Sequence, residues 1–263
     1  MLKTGCIGFF DSGIGGTSIW KEVQTLLPNE STIYLADSKN APYGSKPKEA
    51  IVALCVKNTE FLLANNCKLI VVACNTATTN AISLLRANYN VPFVGIEPAI
   101  KPAALKSTSK TIGVLATRGT LSSSLFHKTM QQYTQGVKII EQVGDGLVPL
   151  IEEGKIATPE MELLLKKYLE PMLIHQIDYL VLGCTHYPYL IPVLQKLLPP
   201  EVTIIDSGAA VARQTKSLLV KNNLVNDVVQ DGKHQFYTNK DAAILKDFLK
   251  DSRADLNVSF LNF

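Results

Sequence analysis

Short, mainly apolar segments alternate with longer segments of helical periodicity along most of the chain. Buried strands are predicted at residues 6–10, 32–35, 69–73, 111–115 and 179–182. One helical face between the first two strands is formed by Ile19, Trp20, Val23, Leu26 and Leu27. Pro47 predicts the first turn of another helix, which runs toward residues 65–66. This alternation predicts an α/β fold whose mostly parallel sheets are covered by helices on both faces.

Three segments of the first part of the chain resemble three segments of the second part, in the same order. They are 7–13 (IGFFDSG) and 112–119 (IGVLATRG), 69–76 (LIVVACNT) and 179–186 (YLVLGCTH), and more loosely 94–99 (VGIEPA) and 203–209 (TIIDSGA). The matched positions Gly8 and Gly113, Cys74 and Cys184, and Glu97 and Asp206 are 105, 110 and 109 positions apart. The near-constant separation predicts two similar α/β domains. The fifty or so residues after the second copy are not assigned to either domain by this pattern.

Composition narrows the class of protein without identifying a function. The 263 residues are 46% hydrophobic and 19% charged, as in ordinary globular proteins. The formal charge is +3 with lysine and arginine scattered, so we expect no nucleic-acid partner. The N-terminus lacks the pattern of a signal peptide, and no apolar stretch has the length of a membrane span. We therefore expect a soluble cytoplasmic protein that does not associate with membranes.

Two of the five cysteines occupy equivalent positions in the repeat. Cys74 and Cys184 each follow an apolar strand, and ligands of parallel sheets bind beyond the carboxyl ends of strands. Hydrogen-bonding side chains come next, at residues 75–76 and 185–186. If the two halves face each other across a cleft, the two thiols lie on opposite walls. The remaining cysteines lie in or beside apolar runs and are predicted to be core residues: Cys6, Cys55 and Cys67.

Two opposed thiols suit the racemisation of an α-carbon. One group removes the α-proton from one face of a planar intermediate, and the other returns a proton to the opposite face. A thiol with a pKa of about 8.5 is partly thiolate at neutral pH, and a neighbouring base can guide the transfer. His186 is the nearest candidate to assist Cys184. Asp11 is the candidate to assist Cys74, because neighbouring parallel strands end at the same edge of a sheet.

Other interpretations of these cysteines remain open. Both thiols fit strand-end core positions. In a cysteine hydrolase or transferase, His186 activates Cys184 as a nucleophile and Cys74 is incidental. In a binding module, the cleft holds an anionic ligand without turnover. We expect no metal, because Cys184 and His186 lack companions at ligand spacing, and we find no distinctive setting for a pyridoxal cofactor.

Two loops are candidates for contact with a ligand. Residues 11–18 (DSGIGGTS) form a glycine-rich turn between strand and helix, which suits either an anion cradle or tight backbone packing. The spacing matches neither the dinucleotide fingerprint nor the Walker loop. Residues 40–45 (NAPYGS) form a turn in which Tyr43 is placed to close over a ligand. Thr117 and Thr120 are the second-half counterparts of residues 11–12. Glu152, judged from pattern alone, belongs to a solvated acidic loop.

Five segments in this order resemble the glutamate racemase family of the aspartate/glutamate racemase superfamily. They are 10–16 (FDSGIGG), 41–44 (APYG), 73–77 (ACNTA), 95–98 (GIEP) and 182–188 (LGCTHYP). The resemblance implies interconversion of L- and D-glutamate without a cofactor, with D-glutamate supplied to peptidoglycan. It also leaves open a racemase for aspartate or another amino acid, and a homodimer.

The resemblance also implies roles and boundaries. Cys74 and Cys184 are the acid/base residues, Asp11 assists Cys74, and Glu152 assists Cys184 through His186, with the adjacent Glu153 as the alternative acid. Residues 1–97 and 208–263 form one α/β domain and 98–207 the other. The two are related by pseudo-two-fold symmetry, with the active site in the cleft between them. Substrate contacts are implied for Asp11, Ser12, Pro42, Tyr43, Gly44, Asn75, Thr76, Thr117, Thr120, Thr185 and His186.

Overall fold

The computed structural model describes residues 3–228, 230–252 and 254–263, which form two sheets with helices packed around them. The first sheet has the order β10-β9-β2-β1-β3-β4. Its strands are β1 (Cys6–Asp11), β2 (Thr32–Ala36), β3 (Cys67–Val72), β4 (Phe93–Gly95), β9 (His234–Thr238) and β10 (Leu256–Phe260). The second sheet, of order β6-β5-β7-β8, contains β5 (Thr111–Ala116), β6 (Lys138–Val143), β7 (Tyr179–Gly183) and β8 (Thr203–Ile205).

Helices connect these strands. In chain order they are α1 (Thr17–Leu26), α2 (Lys48–Ala64), α3 (Asn75–Asn88), α4 (Ile100–Lys106), α5 (Arg118–Leu121), α6 (Ser124–Tyr133), α7 (Leu147–Glu152), α8 (Pro159–Ile174), α9 (Ile191–Leu197), α10 (Gly208–Lys221) and α11 (Ala242–Leu249). Short 3-10 turns cover Ser38–Asn40, Tyr43–Ser45 and Tyr187–Leu190. Within the described ranges, no helix combines the length and the apolar composition that crossing a membrane requires.

The predicted α/β class with parallel sheets is confirmed. The neighbouring strands in both sheets run parallel. The order β2-β1-β3-β4 in one sheet has the same form as β6-β5-β7-β8 in the other, and the three repeated segments fall on corresponding strands. The end of the chain adds β9 beside β2 and β10 beside β9. The division into domains at 97/98 and 207/208 stays a prediction.

Strands of the first sheet carry apolar side chains on both faces because helices cover both. On β1, Phe9 belongs to the core cluster on one side of the sheet and Phe10 to the cluster on the other. The same alternation occurs on β3, where Val71 belongs to the cluster that contains Phe9 and Val72 to the cluster that contains Phe10. Continuous burial of this kind is the pattern of a parallel sheet. It also fixes the register, because a slip by one residue would exchange the faces.

Two element boundaries differ from the sequence-based expectation. Pro47 has extended backbone and immediately precedes α2, rather than forming its first residue. The strand β3 begins two residues earlier than its apolar run, at Cys67, and so includes the charged Lys68. Lys68 is tolerated inside the sheet because its Nζ lies 2.6 Å from Glu30 Oε2 and also donates to the carbonyl of Lys3. Both side chains of the ion pair are almost fully buried.

We predict that Lys68→Met lowers the free energy of unfolding by about 3–5 kcal/mol, because it leaves the Glu30 carboxylate buried without its cation. The second change Glu30→Gln in that background should recover most of the loss. Urea denaturation measures both. Lys250→Met, which removes the exposed ion pair to Asp247, is the control and should cost less than about 1 kcal/mol. Equal losses for Lys68→Met and Lys250→Met would contradict the prediction.

Candidate active site

The carboxyl ends of central strands from both sheets meet around one small cavity. Ser12 follows β1 and Cys74 follows β3, whereas Thr117 follows β5 and Cys184 follows β7. The cavity has a volume of about 10 Å³, which is room for roughly one water molecule. It is lined by Ser12, Pro42, Tyr43, Gly44, Cys74, Asn75, Thr76, Thr117, Val148, Cys184, Thr185 and His186. Both thiols therefore reach the same closed space.

Cys74 is the residue that caps the N-terminus of α3. Its Sγ accepts a hydrogen bond from the backbone N–H of Ala77 at 3.5 Å and donates to Ser12 Oγ at 3.8 Å. The side chain is 5% exposed. Burial raises the pKa of the Cys74 thiol well above its ordinary value, and the Asp11 carboxylate raises it further, while the Ala77 N–H opposes them. The protonated thiol is therefore the resting form of Cys74.

Asp11 lies completely buried behind Cys74. Its carboxylate accepts a hydrogen bond from the N–H of Gly16 at 2.7 Å, and Thr185 Oγ1 lies 3.4 Å from each of its oxygens. Burial raises the pKa of Asp11, and the imidazole of His186 and the Gly16 N–H only partly oppose that effect. Asp11 is the last residue of β1 in the first sheet, and it thus contacts Thr185, which lies just after β7 of the second sheet.

Cys184 begins a chain of three side chains. His186 Nδ1 lies 3.7 Å from Cys184 Sγ, and His186 Nε2 lies 2.6 Å from Glu152 Oε1. Burial lowers the pKa of His186, but hydrogen bonds to Cys184 and Glu152 and the charge of Asp11 outweigh it, so the pKa is raised well above its ordinary value. Burial likewise raises the pKa of Glu152, but the contacts with His186 and with the Ile14 N–H outweigh it and lower the net value. An imidazolium between a sulfur and a carboxylate is the arrangement these shifts favour.

The glycine-rich turn packs against this chain of side chains. The N–H of Ile14 donates to Glu152 Oε1 at 2.7 Å. A methyl group on Gly13 would lie 1.9 Å from that same oxygen, and one on Gly15 would lie 2.2 Å from His186 Nδ1. The backbone donors of the turn thus bind carboxylates of the chain itself. Of the two expectations for this turn, tight backbone packing holds at Gly13 and Gly15. The anions that its backbone N–H groups bind are the side chains of Glu152 and Asp11.

Asn75 has the clearest unmet hydrogen-bonding capacity in the cavity. Its side chain is 3% exposed, and neither its amide nitrogen nor its amide oxygen has a partner among the described residues. Three threonine hydroxyls lie nearby: Thr76 Oγ1 is 2.8 Å from that of Thr117 and 3.3 Å from that of Thr120. Buried polar atoms without partners are costly, so the amide is placed to bind a ligand that supplies them.

The loop that carries Tyr43 closes the cavity on one side. The Tyr43 hydroxyl donates to Asp37 Oδ2 at 2.5 Å, and Asn58 Nδ2 donates to the same hydroxyl at 3.2 Å. Asn239 Nδ2 donates to Asp37 Oδ1 at 2.5 Å. Sequence analysis missed these supporting residues. Asp37 and Asn239 follow β2 and β9 directly, so the strand-end position that drew attention to Asp11 was a usable signal for Asp37. The strand pattern before residue 240 is weak, and the repeat assigns that segment to neither domain, so Asn239 had no such signal.

The predicted site residues fall into two groups. Eleven of them line the cavity, together with Val148, which was not predicted. Asp11, Glu152 and Thr120 lie behind that lining and contact it through hydrogen bonds. Glu153 is exposed and pairs with Lys155 at 2.7 Å, so it does not approach His186. The geometry brings these residues together; their catalytic roles stay predictions.

The remaining cysteines lie elsewhere. Cys55 and Cys67 are buried in the apolar core and Cys6 is half-buried, and all five cysteines are free thiols. Burial raises the pKa of Cys55 and of Cys67 far above the ordinary value, which keeps both thiols protonated. Across the residues that the structure describes, no group of three or more His, Cys, Asp and Glu side chains is arranged to hold a metal ion.

Comparison with known proteins gives a consistent result. Residues 17–215 match the family described as Asp/Glu/Hydantoin racemase. The curated glutamate racemase of Cupriavidus pinatubonensis is 47% identical over 91% of this chain and 88% of its own length, and that of Ectopseudomonas mendocina is 49% identical over 83% and 84%.

Solved structures agree. A Bacillus anthracis glutamate racemase isoform has a TM-score of 0.86, 29% identity and 97% coverage of both chains. Escherichia coli glutamate racemase in complex with L-glutamate and the activator UDP-MurNAc-Ala has a TM-score of 0.84, 33% identity, and coverage of 97% of this chain and 99% of its own.

We predict that Glu152→Gln lowers the pKa of His186, because the imidazolium loses the carboxylate that stabilises it. The measurement is an NMR pH titration of the four histidines, with the signal of His186 assigned through a His186→Gln variant. Glu153→Gln is the matched control and should leave that pKa unchanged. Gly13→Ala, which pushes against Glu152, should shift it in the same direction as Glu152→Gln. An unchanged titration in Glu152→Gln would exclude the pairing.

Proposed function

The chain belongs to the Asp/Glu/Hydantoin racemase family, and from this membership and its two-thiol cavity we propose that it interconverts L- and D-glutamate by proton transfer between Cys74 and Cys184. The observation that carries the proposal is that both thiols line one closed cavity. The choice of glutamate rests on the curated relatives, which are glutamate racemases. Supply of D-glutamate to peptidoglycan in the cytoplasm is the part of the proposal that rests on family resemblance alone.

Substrate binding is assigned to hydrogen-bond donors rather than to a cationic side chain. A carboxylate accepts hydrogen bonds only, so the amide of Asn75 and the hydroxyls around it are suitable partners for the α-carboxylate. Asp11, on the Cys74 side, suits the substrate ammonium group. The proposed contacts are Asp11, Ser12, Pro42, Tyr43, Gly44, Asn75, Thr76, Thr117, Thr120, Thr185 and His186.

The proton transfer needs one thiolate and one thiol at a time. The thiolate takes the α-proton, and the electron pair of the broken C–H bond stays on the α-carbon. The opposite thiol then gives its proton to the other face of that carbon and becomes a thiolate. Nothing is consumed, and the two sulfurs have exchanged protonation states, so the enzyme is ready for the reverse reaction.

The two thiols have different neighbours, which suits these opposite states. Cys184 Sγ lies 3.7 Å from Nδ1 of His186, which can donate a hydrogen bond to that sulfur. Cys74 lies beside the Asp11 carboxylate, which together with burial keeps its pKa high. After the transfer Cys184 carries the proton and Cys74 is the thiolate, so the starting distribution returns when Cys184 loses one proton and Cys74 gains one, either in the reverse reaction or by exchange with solvent. Glu152 acts here as a positioning residue, since it touches His186 and not the cavity.

The α-proton of an amino acid is weakly acidic, so the site must stabilise a carbanion. Fixed donors in a closed, water-poor space do this better than solvent does. A cavity that holds about one water cannot admit glutamate, so we infer that substrate enters an opened form. A second cavity of about 200 Å³ shares Pro42, Gly44, Thr117 and Val148 with the first and offers the route.

The arrangement of Cys184, His186 and Glu152 would also serve a nucleophilic cysteine. In that case Cys74 is dispensable and the substrate forms a covalent adduct. A binding module, in turn, keeps ligand affinity without either thiol and has no turnover to lose. The second thiol in the same cavity and the family membership favour proton transfer.

We also propose the two-domain division at 97/98 and 207/208, with the cavity between the domains.

We predict that Cys74→Ser and Cys184→Ser each lower racemisation of L-glutamate by about a hundredfold or more, because a hydroxyl is a far weaker acid than a thiol. The assay follows optical rotation and α-deuteration in D₂O. Wild type should place solvent deuterium in the product enantiomer. Cys6→Ser, outside the cavity, is the control and should retain activity. Full racemisation without either one of the two thiols would rule out the scheme, and a covalent adduct on Cys184 would support the hydrolase instead.

We predict that Asn75→Ala lowers kcat/KM by about ten- to a hundredfold while leaving the melting temperature equal or higher. The amide makes no hydrogen bond within the described residues, so its removal costs the free protein nothing in lost bonds, whereas a bond to a charged substrate is worth about 1.5–3 kcal/mol. Asn58→Ala is the matched control; it removes a donor to Tyr43 and should lower the melting temperature. A destabilised Asn75→Ala with normal kcat/KM would assign Asn75 a purely structural role.

A further inference from the structure

The proposed route into the active site carries one arginine. The cavity of about 200 Å³ that adjoins the cavity between the thiols, which we call the outer cavity, has Arg118 and Asp145 in its lining. Thr117 lines both cavities, so Arg118 lies one residue beyond the wall of the inner one. Among the described residues that line the two cavities, Arg118 is the only lysine or arginine. A ligand that enters through the outer cavity therefore passes this guanidinium before it reaches the thiols.

Arg118 is paired with Asp145 in a contact that is easily exchanged. Its Nη2 donates to Asp145 Oδ2 at 2.7 Å, and the two side chains are 66% and 64% exposed. Exposed ion pairs contribute little to stability, because water solvates each partner nearly as well. Within the described residues this is the one hydrogen bond of the guanidinium, which has five N–H donors. A second carboxylate can therefore join or replace Asp145 at little cost in folding stability.

The backbone that carries this pair is held in place. Arg118 is followed by Gly119, on which a methyl group would lie 3.1 Å from Cα of Gly44, in the loop across the cavity. The carbonyl of Asp145 accepts a hydrogen bond from the Tyr168 hydroxyl at 2.6 Å. The guanidinium and its partner carboxylate thus extend from fixed positions at the edge of the outer cavity.

Glutamate gains from a cation on this route. It carries two carboxylates and one ammonium group, and so has one net negative charge. Around the inner cavity lie the carboxylates of Asp11 and Glu152 and the imidazole of His186. Even with the imidazole protonated, these charges give an anion no net attraction toward the thiols. A positive charge at the mouth of a site raises the rate at which an anionic ligand reaches it.

We propose that Arg118 captures the side-chain carboxylate of glutamate in the outer cavity, and that Asp145 competes with the substrate for the guanidinium. The substrate class is then an amino acid whose side chain ends in a carboxylate. Arg118 acts before the α-carboxylate reaches Asn75 in the inner cavity, whose described lining contains no lysine or arginine. The inference rests on the proposed function, because racemisation of glutamate is what supplies the anionic substrate.

Removal of the charge tests the capture. At roughly 20 mM salt, Arg118→Gln should lower kcat/KM for L-glutamate and for D-glutamate about fivefold and leave kcat within about twofold of wild type, since saturating substrate makes capture unnecessary. At roughly 500 mM salt the difference from wild type should shrink below about twofold, because exposed charges are then screened over about 4 Å. Arg118→Lys keeps the charge and should retain most of the wild-type value. The measurement is the initial rate of racemisation over a substrate series at each salt concentration.

Asp145→Asn tests the competition. Without the competing carboxylate Arg118 is free for the substrate, so kcat/KM should rise about two- to threefold at low salt. In the Arg118→Gln background the same change should have a smaller effect, because no guanidinium remains to be released. An equal effect in both backgrounds would show that Asp145 only repels the substrate, and would overturn the role given to it.

Lys166→Gln is the matched control for the loss of a positive charge. It breaks another exposed ion pair, to Glu162 at 2.6 Å, on a helix that contributes no described residue to either cavity. Its kcat/KM should equal that of wild type, and its melting temperature, like that of Arg118→Gln, should change little. An equal loss of kcat/KM in Lys166→Gln and Arg118→Gln would reduce the effect to net charge and overturn the inference.

Failure of this inference and failure of the proposed function give different results. Racemisation by wild type with the same kcat/KM and salt dependence in Arg118→Gln would overturn the capture by Arg118 alone. Absence of racemisation by folded wild type would overturn the proposed function and this inference with it.

Discussion

The candidate site depends on the buried carboxylate of Glu152. One of its oxygens accepts from His186 at 2.6 Å and from the Ile14 N–H at 2.7 Å. His186 follows a strand of the second sheet and Ile14 follows a strand of the first, so a single carboxylate fixes the position of one half against the other at the cavity. Removing a carboxylate from water is costly, and here an imidazolium and a backbone donor offset that cost. The glycines at 13 and 15 are required because any side chain there would occupy the space of this contact.

The two halves place their thiols alike and surround them differently. Cys74 and Cys184 follow corresponding strands, β3 and β7, of sheets with the same strand order. One thiol meets a carboxylate and the N-terminus of a helix, and the other meets an imidazole. Divergence of the neighbours, on a repeated backbone, gives the two sulfurs different surroundings while keeping them after corresponding strands at one cavity.

Much of the fold and of the cavity lining could be predicted from the sequence, because both depend on local patterns. Apolar runs identify the central strands, and polar residues directly after them identify the cavity edge. Contacts between distant segments could not be predicted this way. Glu152 looks like a solvated acid next to Glu153 until α7 turns one inward and the other outward. Lys68 interrupts an apolar run and conceals the start of β3, since its partner Glu30 lies far along the chain.

The closed cavity and the unpartnered Asn75 are both features that lower the stability of the free protein. Folding alone would favour either a filled cavity or an asparagine bonded to the protein, since buried polar atoms without partners destabilise. Retaining both features costs the free protein stability, and under the proposed function the unpartnered amide is the group that a substrate carboxylate would meet once the cavity has opened. Tyr43 differs from Asn75 because its hydroxyl is hydrogen-bonded to Asp37 and Asn58. The loop that covers the cavity is therefore held in place by groups outside the cavity. The unpartnered Asn75 amide is thus surrounded by side chains such as Tyr43 whose positions are fixed by their own hydrogen bonds. A binding site needs such supporting contacts to hold its ligand-binding groups in place.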